Sequence, residues 1–176
     1  MRGSGRRAVV LSHSSDGSLC EWLPYWRSLA VAGYRVLAYD SRSAGERVDL
    51  DMAAAIEALR RTGSPHVVAV GLSLGAAGAL IGSASLASQP AAVVSLSAPA
   101  SYGSLHAIDA VPRLHAPVFF AASAGDEPFA SDVRALYAAS GSRERRLEVL
   151  PGAAHGERML DDAAFRGRVT AFVAAH

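Results

Sequence analysis

The sequence contains one cysteine, no lysine and no long apolar run among its 176 residues. Because Cys20 stands alone, an intramolecular disulfide and a cysteine-rich metal site are both excluded. The arginines are balanced by acidic residues to a formal net charge of +1, and they form no basic stripe. This charge pattern predicts neither a nucleic-acid partner nor binding to an anionic membrane surface.

The amino-terminal segment lacks the apolar length of a signal peptide. It is basic, but the apolar run behind it covers only residues 8–11, which is too short for a signal-peptide core or a membrane span. We therefore expect a cytoplasmic protein, since secretion would require a processed precursor. We also expect a single domain over residues 1–176, with residues 1–7 as a frayed tail. A chain of this size buries roughly 70% of the surface that its unfolded form exposes.

Short apolar runs alternate with segments of helical periodicity along the chain. Runs that are apolar throughout are typical of strands buried on both faces, and helices between such strands indicate right-handed crossovers. The sequence thus predicts an α/β fold with a doubly wound, mostly parallel sheet of about six strands. Strands are expected over residues 8–11, 35–39, 67–70, 92–96, 117–122 and 146–150. Helices are expected over residues 21–32, 49–61 (capped by Asp49), 74–87, 131–140 and 158–175.

One serine stands between two glycines at the end of a predicted strand. Ser73 is the centre of a G-x-S-x-G pattern that follows a β-branched run and precedes a helix rich in small residues. This is the context of a nucleophile elbow, a strained turn that exposes a serine hydroxyl at the end of a parallel sheet. The five-residue pattern is weak by itself in a chain rich in Ser and Gly. Residues elsewhere in the chain must therefore support it.

Two later loops carry an acid and a base at the same edge of the predicted sheet. Asp126 follows the fifth predicted strand, and His155 follows the sixth. Ligands bind beyond the carboxyl ends of the strands in open sheets of this kind. The chain order Ser73, Asp126, His155 is that of a nucleophile, an acid and a base on such a sheet. Glu127 and Asp132 are alternative carboxylates for the acid.

The chemistry of acyl transfer requires each of these residue types. A serine hydroxyl is a poor nucleophile near neutral pH and needs an adjacent base, which an imidazole supplies. A carboxylate on the far imidazole nitrogen fixes the tautomer and stabilises the imidazolium. The tetrahedral oxyanion needs two backbone N–H donors. We expect them from Leu74, directly after the nucleophile, and from Ser15 after the first strand, with Ser14 as the alternative.

Several segments resemble the α/β-hydrolase-fold serine hydrolases, from about Ala8 to the end of the chain. Residues 33–42, GYRVLAYDSR, are similar to the family's strand and D-x-R turn, and residues 150–156, LPGAAHG, resemble its histidine loop. Ala116-Pro117-Val118 begins a typical acid-bearing strand. The resemblance is to the small, lidless esterase and dienelactone-hydrolase-like types, although the latter commonly carry Cys where this chain has Ser73.

The chain departs from that family in three places. Ser14 replaces the glycine of the family's His-Gly pair, and a serine enters positive φ less cheaply than glycine. Ser43 replaces the glycine that usually follows the D-x-R turn, and the family's amino-terminal antiparallel strands are missing. His13 is expected to fix the oxyanion loop by hydrogen bonding.

The segment between the fourth and fifth predicted strands, residues 98–116, is too short for the cap domain that the family places there. An open site implies a small substrate. Trp22 and Tyr102 are candidates for the substrate-binding wall by position alone, although helical spacing favours Trp22 as a core residue.

The resemblance implies a serine hydrolase that cleaves small carboxylic esters, thioesters or lactones through an acyl-enzyme. No cofactor and no metal is expected, because the acidic residues near Cys20 show no ligand spacing. Three alternatives stay open: a catalytically silent scaffold that binds a partner, an acyltransferase, and a flavodoxin-like binding protein. The acyl group, the leaving group and the oligomeric state are not specified by the sequence.

Overall fold

A six-stranded parallel sheet forms the centre of the protein, as the alternating apolar pattern predicts. The computed structural model describes residues 6–42 and 46–176. The strands are β1 (Arg7–Ser12), β2 (Arg35–Tyr39), β3 (His66–Leu72), β4 (Ala92–Leu96), β7 (Val118–Ser123) and β8 (Arg145–Leu150). Their order in the sheet is β2-β1-β3-β4-β7-β8, and every neighbouring pair is parallel. A short hairpin, β5 (Ser101–Tyr102) and β6 (Leu105–His106), lies apart from this sheet.

Helices cover both faces of the sheet because successive strand residues point to opposite sides. The helices are α1 (Leu23–Val31), α2 (Val48–Arg61), α3 (Leu74–Ser85), α4 (Ala107–Ala110), α5 (Phe129–Ala139) and α6 (Ala163–Ala175), with 3₁₀ turns at Leu19–Trp22, Val111–Arg113 and Gly156–Asp161. Val9 and Leu11 belong to one apolar cluster with α1 and α6, and Val10 belongs to the other with α2, α3 and α5. The predicted doubly wound architecture is therefore confirmed.

Several predicted boundaries differ from the structure. Asp49 is not the cap of α2: Arg47 occupies that position without a side-chain cap, and Asp49 lies in the first turn, paired with the Arg47 side chain. Asp162 caps α6 by accepting from two backbone N–H groups, so that helix begins later than predicted. Arg7 belongs to β1 rather than to a frayed tail. Residues 1–5 and Ser43 lie outside the described residues.

The chain turns in opposite directions from β1 and from β3, so their carboxyl ends form the switch point of the sheet. Ser12, the last residue of β1, pairs with Gly71 of β3. The loop after β1 then crosses the first turn of α3: a Cβ on Gly75 would lie 2.4 Å from the His13 carbonyl oxygen and 2.6 Å from that of Ser12. Ligands bind at such switch points in open α/β sheets.

This close approach predicts a specific cost for a side chain at Gly75. Gly75→Ala places a methyl group against backbone atoms that cannot rotate away, so we expect the free energy of unfolding to fall by about 3 kcal/mol. Gly167→Ala is the matched control, because nothing lies within 4 Å of its added Cβ, in an exposed part of α6. It should raise stability by about 0.5–1 kcal/mol. Urea unfolding of both variants measures the difference, and equal stability would contradict the packing described here.

The segment between β4 and β7 contains only the β5–β6 hairpin, α4 and a 3₁₀ turn. Leu105 of the hairpin packs against Val48 and Leu74, and the segment forms no cap domain. None of the described helices is both long and apolar enough to cross a membrane.

Candidate active site

Ser73 occupies a strained turn between β3 and α3. Its φ of 50° and ψ of −118° lie in a region that residues with a side chain rarely adopt. Its backbone N–H donates to the Leu96 carbonyl at 2.8 Å, and its carbonyl accepts from Ala76 in the first turn of α3. A Cβ on Gly71 would lie 2.2 Å from the Gly75 carbonyl oxygen, so the turn closes only with glycine at this position, whereas Gly75 is required by the close approach of the loop after β1.

Asp126 and His155 form a hydrogen-bonded pair at the next strand ends. His155 Nδ1 lies 2.9 Å from both carboxylate oxygens of Asp126, and Asp126 is buried, with 8% of its surface exposed. Neither alternative carboxylate is hydrogen-bonded to the imidazole. Glu127 accepts from the Ser131 N–H, and Asp132 accepts from the Ala100 N–H. The structure therefore brings Asp126, and not its neighbours, to His155.

His155 is positioned with one ring nitrogen available. Because Asp126 is the acceptor at Nδ1, the proton lies on Nδ1 and the lone pair on Nε2. The ring packs against Phe129, with centroids 4.4 Å apart, and its side chain is 34% exposed. Among residues 6–42 and 46–176, neither Nε2 nor the Ser73 hydroxyl has a hydrogen-bond partner. Catalytic hydrogen bonds often tighten only when substrate binds.

Ser97, directly after β4, links the acid to the base loop. Its hydroxyl donates to Asp126 Oδ2 at 2.7 Å and accepts from the Gly156 N–H at 3.2 Å. The residue is fully buried and has a φ of 53°. Sequence reasoning missed Ser97 because a serine after a strand carries no signal of its tertiary partners. Ser97 directly follows Leu96, whose carbonyl accepts from the Ser73 N–H. Ser97 therefore connects the loops that carry Ser73, Asp126 and His155.

Ser97→Ala removes this link and leaves the fold in place. A buried carboxylate that loses one hydrogen bond is destabilised by about 2 kcal/mol, so we expect kcat for any reaction that uses His155 to fall about tenfold. Ser97→Gly is the matched variant, because it also lacks the hydroxyl but tolerates the positive φ. Steady-state kinetics and thermal unfolding of both variants should show equal losses of kcat and a more stable glycine variant. Full activity in both would contradict the role given to the hydroxyl.

Burial disfavours ionisation of Tyr39 at the neighbouring strand end. Desolvation raises the pKa of Tyr39 well above its usual range, and its hydroxyl donates to Ser12 Oγ at 3.2 Å. The group therefore stays protonated near neutral pH.

The loop after β1 is held by hydrogen bonds at each of its first two residues. His13 Nε2 accepts from the Ser41 N–H at 3.0 Å, so the Nδ1 proton donates to the Ser14 carbonyl at 2.6 Å. This is the loop-fixing role that the sequence predicts for His13. Ser14 does not adopt a positive φ, so the replacement of glycine at this position introduces no backbone strain.

A cavity of about 220 Å³ lies beside the contact between this loop and α3, and the loop and the start of α3 both line it. Ser15 and Leu74 both line it, and within the described part of the chain their backbone N–H groups have no hydrogen-bond partner. The Ser14 N–H, in contrast, donates to the Glu21 carboxylate at 3.1 Å. The arrangement therefore favours Ser15 over Ser14 as a donor beside Leu74.

The two aromatic residues considered for the substrate wall do not both reach the surface. The expectation that Trp22 lines the substrate-binding wall is wrong, because Trp22 is fully buried. Its ring packs on that of Tyr25, with centroids 6.0 Å apart. Trp22 lies on the apolar face of the helical segment and therefore in the core, which the helical spacing of the apolar residues favoured. Tyr102 is 59% exposed on the β5–β6 hairpin. Among the described residues, no three His, Cys, Asp or Glu side chains converge as metal ligands.

Solved structures share this architecture at low sequence identity. A monoacylglycerol lipase from Paleococcus ferrophilus superposes with a TM-score of 0.85 at 15% identity, over 99% of this chain and 97% of that one. An esterase from Pyrococcus furiosus gives 0.82 at 18% identity, over 98% and 82%. MenH from S. aureus gives 0.80 at 9% identity, over 99% and 97%. No family model and no curated protein matches the sequence.

Proposed function

Since the chain has the α/β-hydrolase fold, we propose that it is a serine hydrolase that cleaves small carboxylic esters, thioesters or lactones through an acyl-enzyme. The observation that carries the proposal is the Asp126–His155 pair, joined at 2.9 Å. Ser97 bonds to Asp126 and directly follows Leu96 of β4, whose carbonyl accepts from the Ser73 N–H. Several of the superposed proteins are esterases or lipases, which supports the same class of reaction.

In the acylation step, Ser73 Oγ attacks the carbonyl carbon of the substrate while His155 Nε2 takes the hydroxyl proton. Asp126 holds the Nδ1 proton and stabilises the imidazolium that forms. The C–O or C–S bond to the leaving group then breaks, and the leaving group takes the proton from Nε2. The product is an ester of Ser73 and the free alcohol or thiol, or the ring-opened acyl chain when the substrate is a lactone.

In the deacylation step, water replaces the leaving group. His155 Nε2 takes one proton from the water as its oxygen attacks the acyl carbon. The bond to Ser73 Oγ breaks, and the proton returns to that oxygen. The carboxylic acid leaves, and the starting state of the protein is restored.

The negative oxygen of both tetrahedral intermediates requires fixed donors. We assign Ser15 and Leu74 N–H to this role, because both are unpartnered among the described residues and line one cavity beside the elbow. Loss of one such donor elsewhere costs about 3 to 4 kcal/mol of transition-state stabilisation. The absence of a cap domain leaves the site open, and the small cavity favours a small group beside the oxyanion.

Stopped-flow hydrolysis of p-nitrophenyl acetate and butyrate tests the proposal. We expect turnover with a burst of p-nitrophenol close to one equivalent per chain, because the acyl-enzyme accumulates when deacylation is slower. Acyl transfer to added methanol that outcompetes water would instead favour the acyltransferase alternative. No turnover of any ester would favour the silent scaffold and would contradict the proposal.

A further inference from the structure

Glu21 holds Ser14 through two hydrogen bonds. Its Oε2 accepts from the Ser14 backbone N–H at 3.1 Å, and its Oε1 accepts from the Ser14 hydroxyl at 2.6 Å. The second carboxylate nearby, Asp16, lies farther from the same hydroxyl, at 3.3 Å, and makes no bond to the backbone. A single side chain from the following 3₁₀ turn therefore fixes the residue that replaces the family's glycine.

Gly17 leaves the space that this carboxylate occupies. A Cβ on Gly17 would lie 1.6 Å from Glu21 Oε1 and 2.2 Å from its carboxyl carbon. The N–H of Gly17 also donates to the Ser14 carbonyl at 3.3 Å. Ser14, Gly17 and Glu21 thus form one packed unit in which a side chain at residue 17 would displace the carboxylate.

The same contacts determine where the next N–H points. The Ser14 carbonyl and the Ser15 N–H belong to one trans peptide plane, so they point in opposite directions. That carbonyl is directed to His13 Nδ1 at 2.6 Å, and Glu21 fixes the preceding N–H. With the peptide groups on both sides of Ser14 held, the Ser15 N–H has no freedom to rotate independently.

We propose that Glu21 is a positioning residue for the oxyanion donor Ser15. The inference rests on the proposed hydrolase function, and it assigns the conformation of the loop after β1 to the Glu21 carboxylate. Glu21 bonds to Ser14, and its effect on the reaction passes through the peptide plane between Ser14 and Ser15. Because a fixed donor matters most when charge develops on the substrate oxygen, Glu21 acts on kcat rather than on substrate binding.

Two substitutions of Glu21 separate this role from a general effect on stability. Glu21→Ala removes both acceptors, and we expect kcat for p-nitrophenyl acetate to fall about 10- to 100-fold with KM changed less than about threefold, a smaller loss than removal of the donor itself. Glu21→Gln keeps an acceptor for the Ser14 N–H, and its amide can donate to the Ser14 hydroxyl. It should restore kcat to within about fivefold of the wild type, because the anchor needs hydrogen bonds rather than charge.

Asp16→Asn is the matched control, since it alters the carboxylate that contacts only the Ser14 hydroxyl, and its kinetics should stay close to the wild type. Amide hydrogen exchange gives a readout that is independent of turnover. Exchange of the peptide covering residues 12–19 should accelerate at least tenfold in Glu21→Ala, while peptides from β3 and β4 stay protected; a tenfold change corresponds to about 1.4 kcal/mol of local opening.

The outcomes separate the two proposals. Wild-type protein without esterase activity would overturn the proposed function, and exchange would still show whether Glu21 anchors the loop. Unchanged kcat and unchanged exchange in Glu21→Ala would overturn the positioning role alone. Equal losses in Glu21→Ala, Glu21→Gln and Asp16→Asn would also overturn it, because an anchor specific to the Ser14 N–H predicts rescue by glutamine.

Discussion

Ser73→Ala is expected to lower kcat for ester hydrolysis by about 10⁶-fold. The substitution removes the only atom that forms the acyl bond, and water attack assisted by the remaining groups is far slower. The conformational free energy of a positive φ is similar for alanine and serine, and residue 73 has a φ of 50°. The variant should therefore fold with nearly unchanged thermal stability. Steady-state hydrolysis of p-nitrophenyl butyrate, followed with purified protein, measures the loss.

Ser83→Ala provides the control for this experiment. Ser83 lies in the same helix, α3, and its buried hydroxyl has no hydrogen-bond partner in the part of the chain that the structure describes. Removing an unpartnered buried hydroxyl should leave activity intact and stability equal or higher. A Ser73→Ala protein that keeps more than a tenth of wild-type activity would show that another residue is the nucleophile.

Asp126→Asn is expected to lower kcat by about 10⁴-fold while the fold is retained. Both carboxylate oxygens of Asp126 lie 2.9 Å from His155 Nδ1, and asparagine replaces one of them by an NH₂ group, which donates and cannot accept the Nδ1 proton. An NH₂ donor at Nδ1 places the imidazole proton on Nε2, where it cannot accept the proton of Ser73.

The pH profile tests whether the wrong imidazole tautomer is the cause of the lower kcat. Activity of Asp126→Asn should recover in part at alkaline pH, where hydroxide replaces the missing base, and the wild type should show no such increase. Asp132→Asn makes the same chemical change in α5, on a carboxylate that accepts from Ala100, and should retain most activity. Comparable losses in the two variants would contradict the pairing of Asp126 with His155.

The sheet could be predicted from sequence because its signal is local. Continuous β-branched runs such as residues 67–70 describe a strand buried on both faces, and their alternation with helical segments determines the parallel order. Residues that directly follow parallel strands lie at the same edge of the sheet, the edge of the strands' carboxyl ends. Asp126 and His155 are therefore recognisable as partners of Ser73 although they are distant from it in the chain. Helix ends were less predictable: Asp49 has the right chemistry for a cap, but the N-cap of α2 is Arg47, two residues earlier.

The supporting residues of the site could not be predicted, because their partners are distant in sequence. Ser97 meets Asp126 and Gly156 only after three loops converge at the sheet edge, and its positive φ leaves no mark on the residue type. Glu21 resembles an ordinary surface acid of an amphipathic segment. The sequence indicated the loop after β1 as a place where this chain departs from the α/β-hydrolase pattern. It did not show that the Glu21 carboxylate from the next turn bonds to that loop.

Labelling with a fluorophosphonate, followed by mass mapping of the modified peptide, tests the central assignment most directly. The reagent forms a covalent phosphonate only with a serine activated by its neighbours. We expect one adduct per chain, located on Ser73, that is lost in Ser73→Ala and formed far more slowly in Asp126→Asn. An unlabelled wild-type protein, or an adduct that persists in Ser73→Ala, would show that Ser73 is not the activated nucleophile.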